Sequence, residues 1–206
     1  MPRIEQIKIL ICGDSWAADW SVKYNGVGWP NILQQHYDVT NIAQAGVSQY
    51  RICQQLQDID ITKFDVAVCS ITSPNRIYSN NNTAHIDDVL HSNCDLMFAD
   101  LEHAWEQGNN TPQTKSALDF FMYHWDKDHA DFVHQLLVDW CFNKLNVIPT
   151  IGTSNIINNN SFATQWNYVC GVDVCANNKG IINHMNEQGN KLFADMMLEK
   201  ISTCRS

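Results

Sequence analysis

Ile9-Leu10-Ile11-Cys12-Gly13-Asp14-Ser15-Trp16 is an apolar run that stops abruptly in Gly-Asp-Ser. It reads as a buried strand that delivers a serine to the carboxyl edge of a sheet. Open α/β sheets bind their ligands at that edge. A small residue and an acid before the serine suit a tight turn. Taken alone, the tripeptide reads first as an ordinary strand-to-loop turn.

Outward from this stretch, strands alternate with helices. The first strand spans Ile7 to Cys12, and a helix opens at Trp29-Pro30 with proline in its first turn. A short strand, Asp38 to Ala43, leads into Gln44-Ala45-Gly46-Val47-Ser48. Ser48 is placed to cap a helix over Gln49 to Ile59, where Ile52, Leu56 and Ile59 recur at helical spacing. Asp65-Val66-Ala67-Val68-Cys69-Ser70-Ile71 is too apolar for a half-exposed strand and belongs at the centre of a sheet. Pro74 then stops both strand and helix.

Residues 77–112 are rich in Asn, Asp, His and Thr and exceed an ordinary connection; such segments are often lids or binding loops. Thr114 to Leu145 is helical, with a break expected near Asp126. Its stripe of Leu118, Phe121, Met122, Trp125, Phe132, Leu136, Leu137, Trp140 and Cys141 reads as core. Asn146 to Ile151 is expected as a fourth strand, Gly152 to Asn167 as a loop and Tyr168 to Val174 as a fifth strand. The last helix carries Leu192, Phe193, Met196, Met197 and Ile201 on its apolar side. The alternation predicts one α/β domain over residues 1–206, a three-layer sandwich around a parallel sheet of about five strands.

Composition narrows the function classes. The chain has 206 residues and a net charge of -9. Such a balance argues against a nucleic-acid groove, which needs clustered Lys and Arg. No run approaches the roughly 20 apolar residues of a membrane span. Met1 to Gln6 lacks the apolar core of a secretory signal, so a cytoplasmic protein is expected. The eight cysteines are scattered; a structural zinc site wants short paired spacings. Cys12 and Cys69 read as buried thiols, and Cys170 with Cys175 is the one close pair a disulfide would use. His85, His91, His103, His124, His129 and His134 follow no metal-ligand spacing and read as solvated. No metal or cofactor is expected.

Four separated pieces, Gly13-Asp14-Ser15, Gly46, Asn75 and His184, resemble in this order the blocks of the SGNH (GDSL-like) hydrolase family. Asn41-Ile42-Ala43-Gln44-Ala45-Gly46 resembles the second block. Ser73-Pro74-Asn75-Arg76 stands where the family has Gly-x-Asn-Asp. His184-Met185-Asn186-Glu187-Gln188-Gly189 resembles the end of the family's Asp-x-x-His-x-Asn-x-x-Gly, with Ile181 at the aspartate position. The resemblance spans nearly the whole chain. It implies a flavodoxin-like fold and hydrolysis of small acyl or carbohydrate esters.

On that resemblance Ser15 is the nucleophile and His184 the base that takes its proton, since a serine hydroxyl is weak at neutral pH. The N–H groups of Ser15 and Gly46 and the amide of Asn75 would hold the oxyanion. The partner of His184 stays open: the Ile181 carbonyl, Asp173, another acid, or none in a degenerate enzyme. Trp16, Trp20, Tyr24 and Trp29 are candidates for a substrate pocket or for packing. A non-catalytic module binding a glycan or protein is the alternative function. A phosphate binder is weaker, because Gly13-Asp14-Ser15 carries one glycine only.

Overall fold

The structure, a computed structural model, describes residues 6–21, 26–81, 94–157, 166–180 and 184–204. Tyr24, His85, His91 and Ile181, and part of the 77–112 segment, lie outside them. In chain order the described elements are β1 (Lys8–Cys12), α1 (Trp29–Leu33), β2 (Asp38–Asn41), α2 (Gln49–Gln57), β3 (Val66–Ser70), α3 (Phe98–Glu106), α4 (Pro112–Tyr123), α5 (Lys127–Leu145), β4 (Thr150–Ser154), β5 (Asn167–Cys170), α6 (Val172–Asn177) and α7 (Glu187–Cys204). The five strands form one sheet in the order β2-β1-β3-β4-β5, and every neighbouring pair is parallel.

Alternate strand residues point to opposite faces. Ile9, Ile11, Val66, Val68 and Ile151 meet Trp29 and Leu33 of α1 and Phe193, Met197 and Ile201 of α7. Leu10, Cys12, Ala67 and Cys69 meet Ile52 and Leu56 of α2 and Val138, Cys141 and Leu145 of α5. The result is a flavodoxin-like three-layer α/β sandwich. Burying a large aliphatic side chain contributes about 1.5–3 kcal/mol. The central β1 and β3 therefore carry most of the sheet's share, since β3 is buried throughout while β2 is half-exposed. A smaller cluster of Leu101, Ala117 and Phe121 joins α3 to α4.

Several boundaries differ from the sequence reading. β4 begins at Thr150, not Asn146. Residues before it finish α5, where the Asn146 N–H bonds the Phe142 carbonyl and the Ile148 N–H the Leu145 carbonyl. Thr150-Ile151-Gly152-Thr153-Ser154 is polar in composition, yet all five are buried between β3 and β5. Its central position hides it, not its hydropathy. β5 ends at Cys170, because β4 offers its last ladder carbonyl at Ser154, which accepts from the Gly171 N–H at 2.9 Å. Val172, Asp173 and Val174 then turn into α6. Cys170 and Cys175 thus fall in different elements, and all eight cysteines are free thiols.

The helical stripe of 114–145 is only partly core. Asp126 breaks it by capping α5, its Oδ1 accepting from the His129 N–H at 2.7 Å. Phe121 and Cys141 are buried, but Met122, Phe132, Leu136 and Trp140 are exposed. α5 turns His134, Val138, Cys141 and Leu145 inward, and these four residues are on the opposite side of its circumference from Phe132, Leu136 and Trp140. On α7, Leu192 and Met196 are likewise exposed. Within 77–112, α3 and an antiparallel bridge between Ile77 and Leu96 give order the composition does not announce. Among the described residues, no helix is long and apolar enough to cross a membrane.

Candidate active site

β1 lies between β2 and β3, so the loops carrying Ser15, Gly46 and Asn75 leave three adjacent strands at one carboxyl edge. The strand order reverses direction between β1 and β3, the kind of switch point where such sheets open a crevice. Ser15 is half-buried, in a turn closed by the Ala17 N–H on the Asp14 carbonyl at 3.1 Å. Gly13 makes that turn possible: its φ is +143, and a Cβ there would lie 2.4 Å from the Ser70 Cβ. Gln55 of α2 holds Gly13 at both ends, accepting from its N–H and donating to its carbonyl, each at 3.0 Å.

Asp14 is buried and structural. Its Oδ1 accepts from the Ser70 hydroxyl at 2.8 Å and from the Trp16 N–H at 3.2 Å, tying the Ser15 turn to β3. Burial lifts its carboxyl above the ordinary range, against the opposing pull of the Ser70 hydroxyl and the Arg76 charge.

Gly46 has a φ of +73 and is buried. Its carbonyl accepts from the Asp95 N–H at 2.8 Å and from Arg76 at 3.1 Å. Asn75 sits at the tip of a Ser73–Arg76 turn, where the Ser73 hydroxyl accepts from its N–H at 3.2 Å. Its side chain is exposed. Among the described residues, the N–H groups of Ser15 and Gly46 and the side-chain amide of Asn75 donate to no acceptor. The three groups assigned to the oxyanion are therefore uncommitted.

His184 lies just before α7: the Gly180 N–H bonds its carbonyl at 2.8 Å, and Lys179 bridges Met185. Trp20 links this loop to the first. Its indole N–H donates to the Ser15 carbonyl at 2.8 Å, while its ring lies against the His184 imidazole at 4.6 Å between centroids, tilted by 59°. A residue from the start of the chain thus touches both Ser15 and His184. Asp173, one alternative partner for His184, is exposed in the first turn of α6 and makes no ion pair among the described residues. Trp16 and Trp29 are buried around Phe193, packed as core. A cavity of about 200 Å³ lined by Lys8, Lys63 and Asp65, among others, lies at the opposite, amino-terminal edge of the sheet.

Two arginines build this edge without announcing themselves in the sequence. Arg76 reaches Gly46, the Asp95 carbonyl at 3.4 Å and Asp100 at 3.0 Å, stapling the β2 loop to the segment after β3. Arg51 pairs with the fully buried Asp95 carboxylate at 2.9 Å, which also accepts from the Ser48 and Ser79 N–H groups at 2.7 and 2.9 Å. A lone charge in a polar stretch carries no sequence signal for either role. His134, expected as a solvated histidine, is corrected by the structure. It is buried, and its Nε2–H donates to the Thr72 carbonyl at 2.9 Å, propping the loop that leads to Asn75. Among the described residues, no group of three or more His, Cys, Asp or Glu side chains is arranged to hold a metal.

Compared with protein-family models and with curated proteins, the chain matches none.

Proposed function

We propose that this chain is a serine ester hydrolase of the SGNH type, acting on a small acyl or carbohydrate ester. Trp20 carries the reading, because one indole contacts both the Ser15 loop and the His184 ring. In the proposed reaction His184 takes the Ser15 proton as Oγ attacks the ester carbonyl. The uncommitted N–H groups of Ser15 and Gly46 and the Asn75 amide stabilise the tetrahedral oxyanion. His184 returns the proton to the departing alcohol, leaving an acyl-serine. Water, deprotonated by the same imidazole, then releases the acid. Residues 82–93, within the candidate lid at 77–112, lie outside the described residues.

The second reading is a degenerate module that binds a glycan or protein. The exposed Asn75 and the structural use of Arg76, where the resembled family has aspartate, favour it. Hydrolysis of p-nitrophenyl acetate and labelling by a fluorophosphonate separate the two. An esterase loses both in Ser15→Ala and His184→Ala, while Asn75→Ala costs about 10²–10³ in turnover. Equal background rates in wild type and all three variants would leave the binding module.

A further inference from the structure

Resting on the esterase reading above, we infer that Gln55 is the positioning residue of the proposed nucleophile: its side-chain amide clamps Gly13, the joint from which the Ser15 turn hangs. Gly13 is the first residue past β1, and its φ of +143° is one that side-chain-bearing residues rarely adopt. Glycine is also the residue whose backbone swings most freely. The Gly13 N–H lies in the planar peptide shared with Cys12, and its carbonyl in the one shared with Asp14. Only the φ and ψ of Gly13 separate those two planes. Gln55 bonds both, Oε1 accepting from the N–H and Nε2 donating to the carbonyl, each at 3.0 Å. A primary amide sets an acceptor beside a donor, so it meets this pair in one orientation only. The clamp therefore fixes φ and ψ of Gly13 together.

Beyond the joint the turn is held by other means. The Asp14 carboxylate accepts from the Trp16 N–H at 3.2 Å, and the Asp14 carbonyl from the Ala17 N–H at 3.1 Å. Further on, the Trp29 indole and the Asn41 amide donate to the Trp16 and Ala17 carbonyls at 2.7 and 2.8 Å. On Gly13 itself, the Gln44 N–H adds a bond to the carbonyl alone at 3.1 Å. Losing Gln55 thus leaves the turn folded and frees its upstream end, where the Ser15 hydroxyl and N–H follow. The clamp is mounted on a rigid element: Ile52 and Leu56 of α2 are fully buried, and Ser48 caps its start. Misplacing a reacting group by about 1 Å can cost about 10²-fold in rate.

Fluorophosphonate labelling, hydrolysis of p-nitrophenyl acetate and amide hydrogen exchange on the full chain test the inference. In Gln55→Leu the Gly13 amide is expected to exchange about tenfold faster or more, while Ile9 to Ile11 keep wild-type protection. Ser15 labelling and kcat are expected to fall by about 10–10²-fold with KM within about twofold, as when attack geometry is lost but binding is not. Gln55→Glu separates positioning from packing. Ionised, the introduced carboxyl accepts from the Gly13 N–H but repels the Gly13 carbonyl; protonated, it donates and accepts as the amide does. Its labelling rate relative to wild type is expected to rise as pH falls from about 8 to about 5, the shared dependence on His184 cancelling in the ratio. Gln55→Leu is expected to show no such rise. Wild-type labelling and kcat in Gln55→Leu overturn the inference. So does an unchanged Gly13 exchange rate, or a labelling loss matched by loss of folded protein in circular dichroism. A wild type that neither labels nor turns over ends the esterase reading and this one with it, whereas an active wild type with an unaffected Gln55→Leu ends this one alone.

Discussion

Trp20 is the residue on which the proposed chemistry turns. Its indole bond to the Ser15 carbonyl and its contact with His184 are separable. Trp20→Phe keeps a ring beside the imidazole and loses only a hydrogen bond worth about 0.5–1.5 kcal/mol. Fluorophosphonate labelling of Ser15 is expected to slow by at most about tenfold. Trp20→Leu removes both contacts and is expected to slow labelling further than Phe does. Equal rates for the two variants would mean that the ring contact does nothing. Gly13 and Asp14 were legible as a turn because their residue types admit few other uses. Which groups Asp14 would bind was not legible, since Ser70 lies 56 positions away.

At the scale of elements, the edge is held by charge as much as by the sheet. Asp95 joins the start of α2, through the Ser48 N–H and Arg51, to the Ser79 segment. Its carboxylate is fully buried, so removing it strands the Arg51 guanidinium, which is itself only 16% exposed. Breaking such a pair from one side costs about 3 kcal/mol or more. Asp95→Ala is therefore expected to lower the urea midpoint by a corresponding amount; a change of only a few tenths of a kcal/mol would show that the pair is effectively solvated. Three helix starts were readable from local chemistry: Ser48 caps α2, the break near Asp126 opens α5, and Pro30 starts α1; α6 was not, since Val172 to Val174 read as strand. β4 was misplaced because a strand of Thr, Gly and Ser has no apolar signature.

Across the whole molecule, His134 couples the α5 layer to the loop after β3. Burial holds its imidazole below the ordinary 6.5, outweighing the Thr72 bond and Asp131. The unfolded chain therefore binds a proton that the native state resists. The stabilisation from neutral His134 is fully present above about pH 6.5 and is lost as pH falls towards its depressed native value. His134→Gln keeps an N–H donor for Thr72 without titrating. Urea unfolding from about pH 7.5 to about 5 is expected to show a shallower loss of stability in this variant. Parallel curves for the two proteins would remove His134 from that role. The amino-acid sequence by itself determined the layer architecture, because apolar period and capping chemistry are local properties of the chain. It also determined the order of the Ser15, Gly46, Asn75 and His184 loops. Tertiary structure alone decided which polar groups are buried, that Trp20 touches both Ser15 and His184, and that α5 leaves one apolar face uncovered. Each of these depends on what packs from distant positions, and burial by a remote neighbour leaves no mark on the residues it covers.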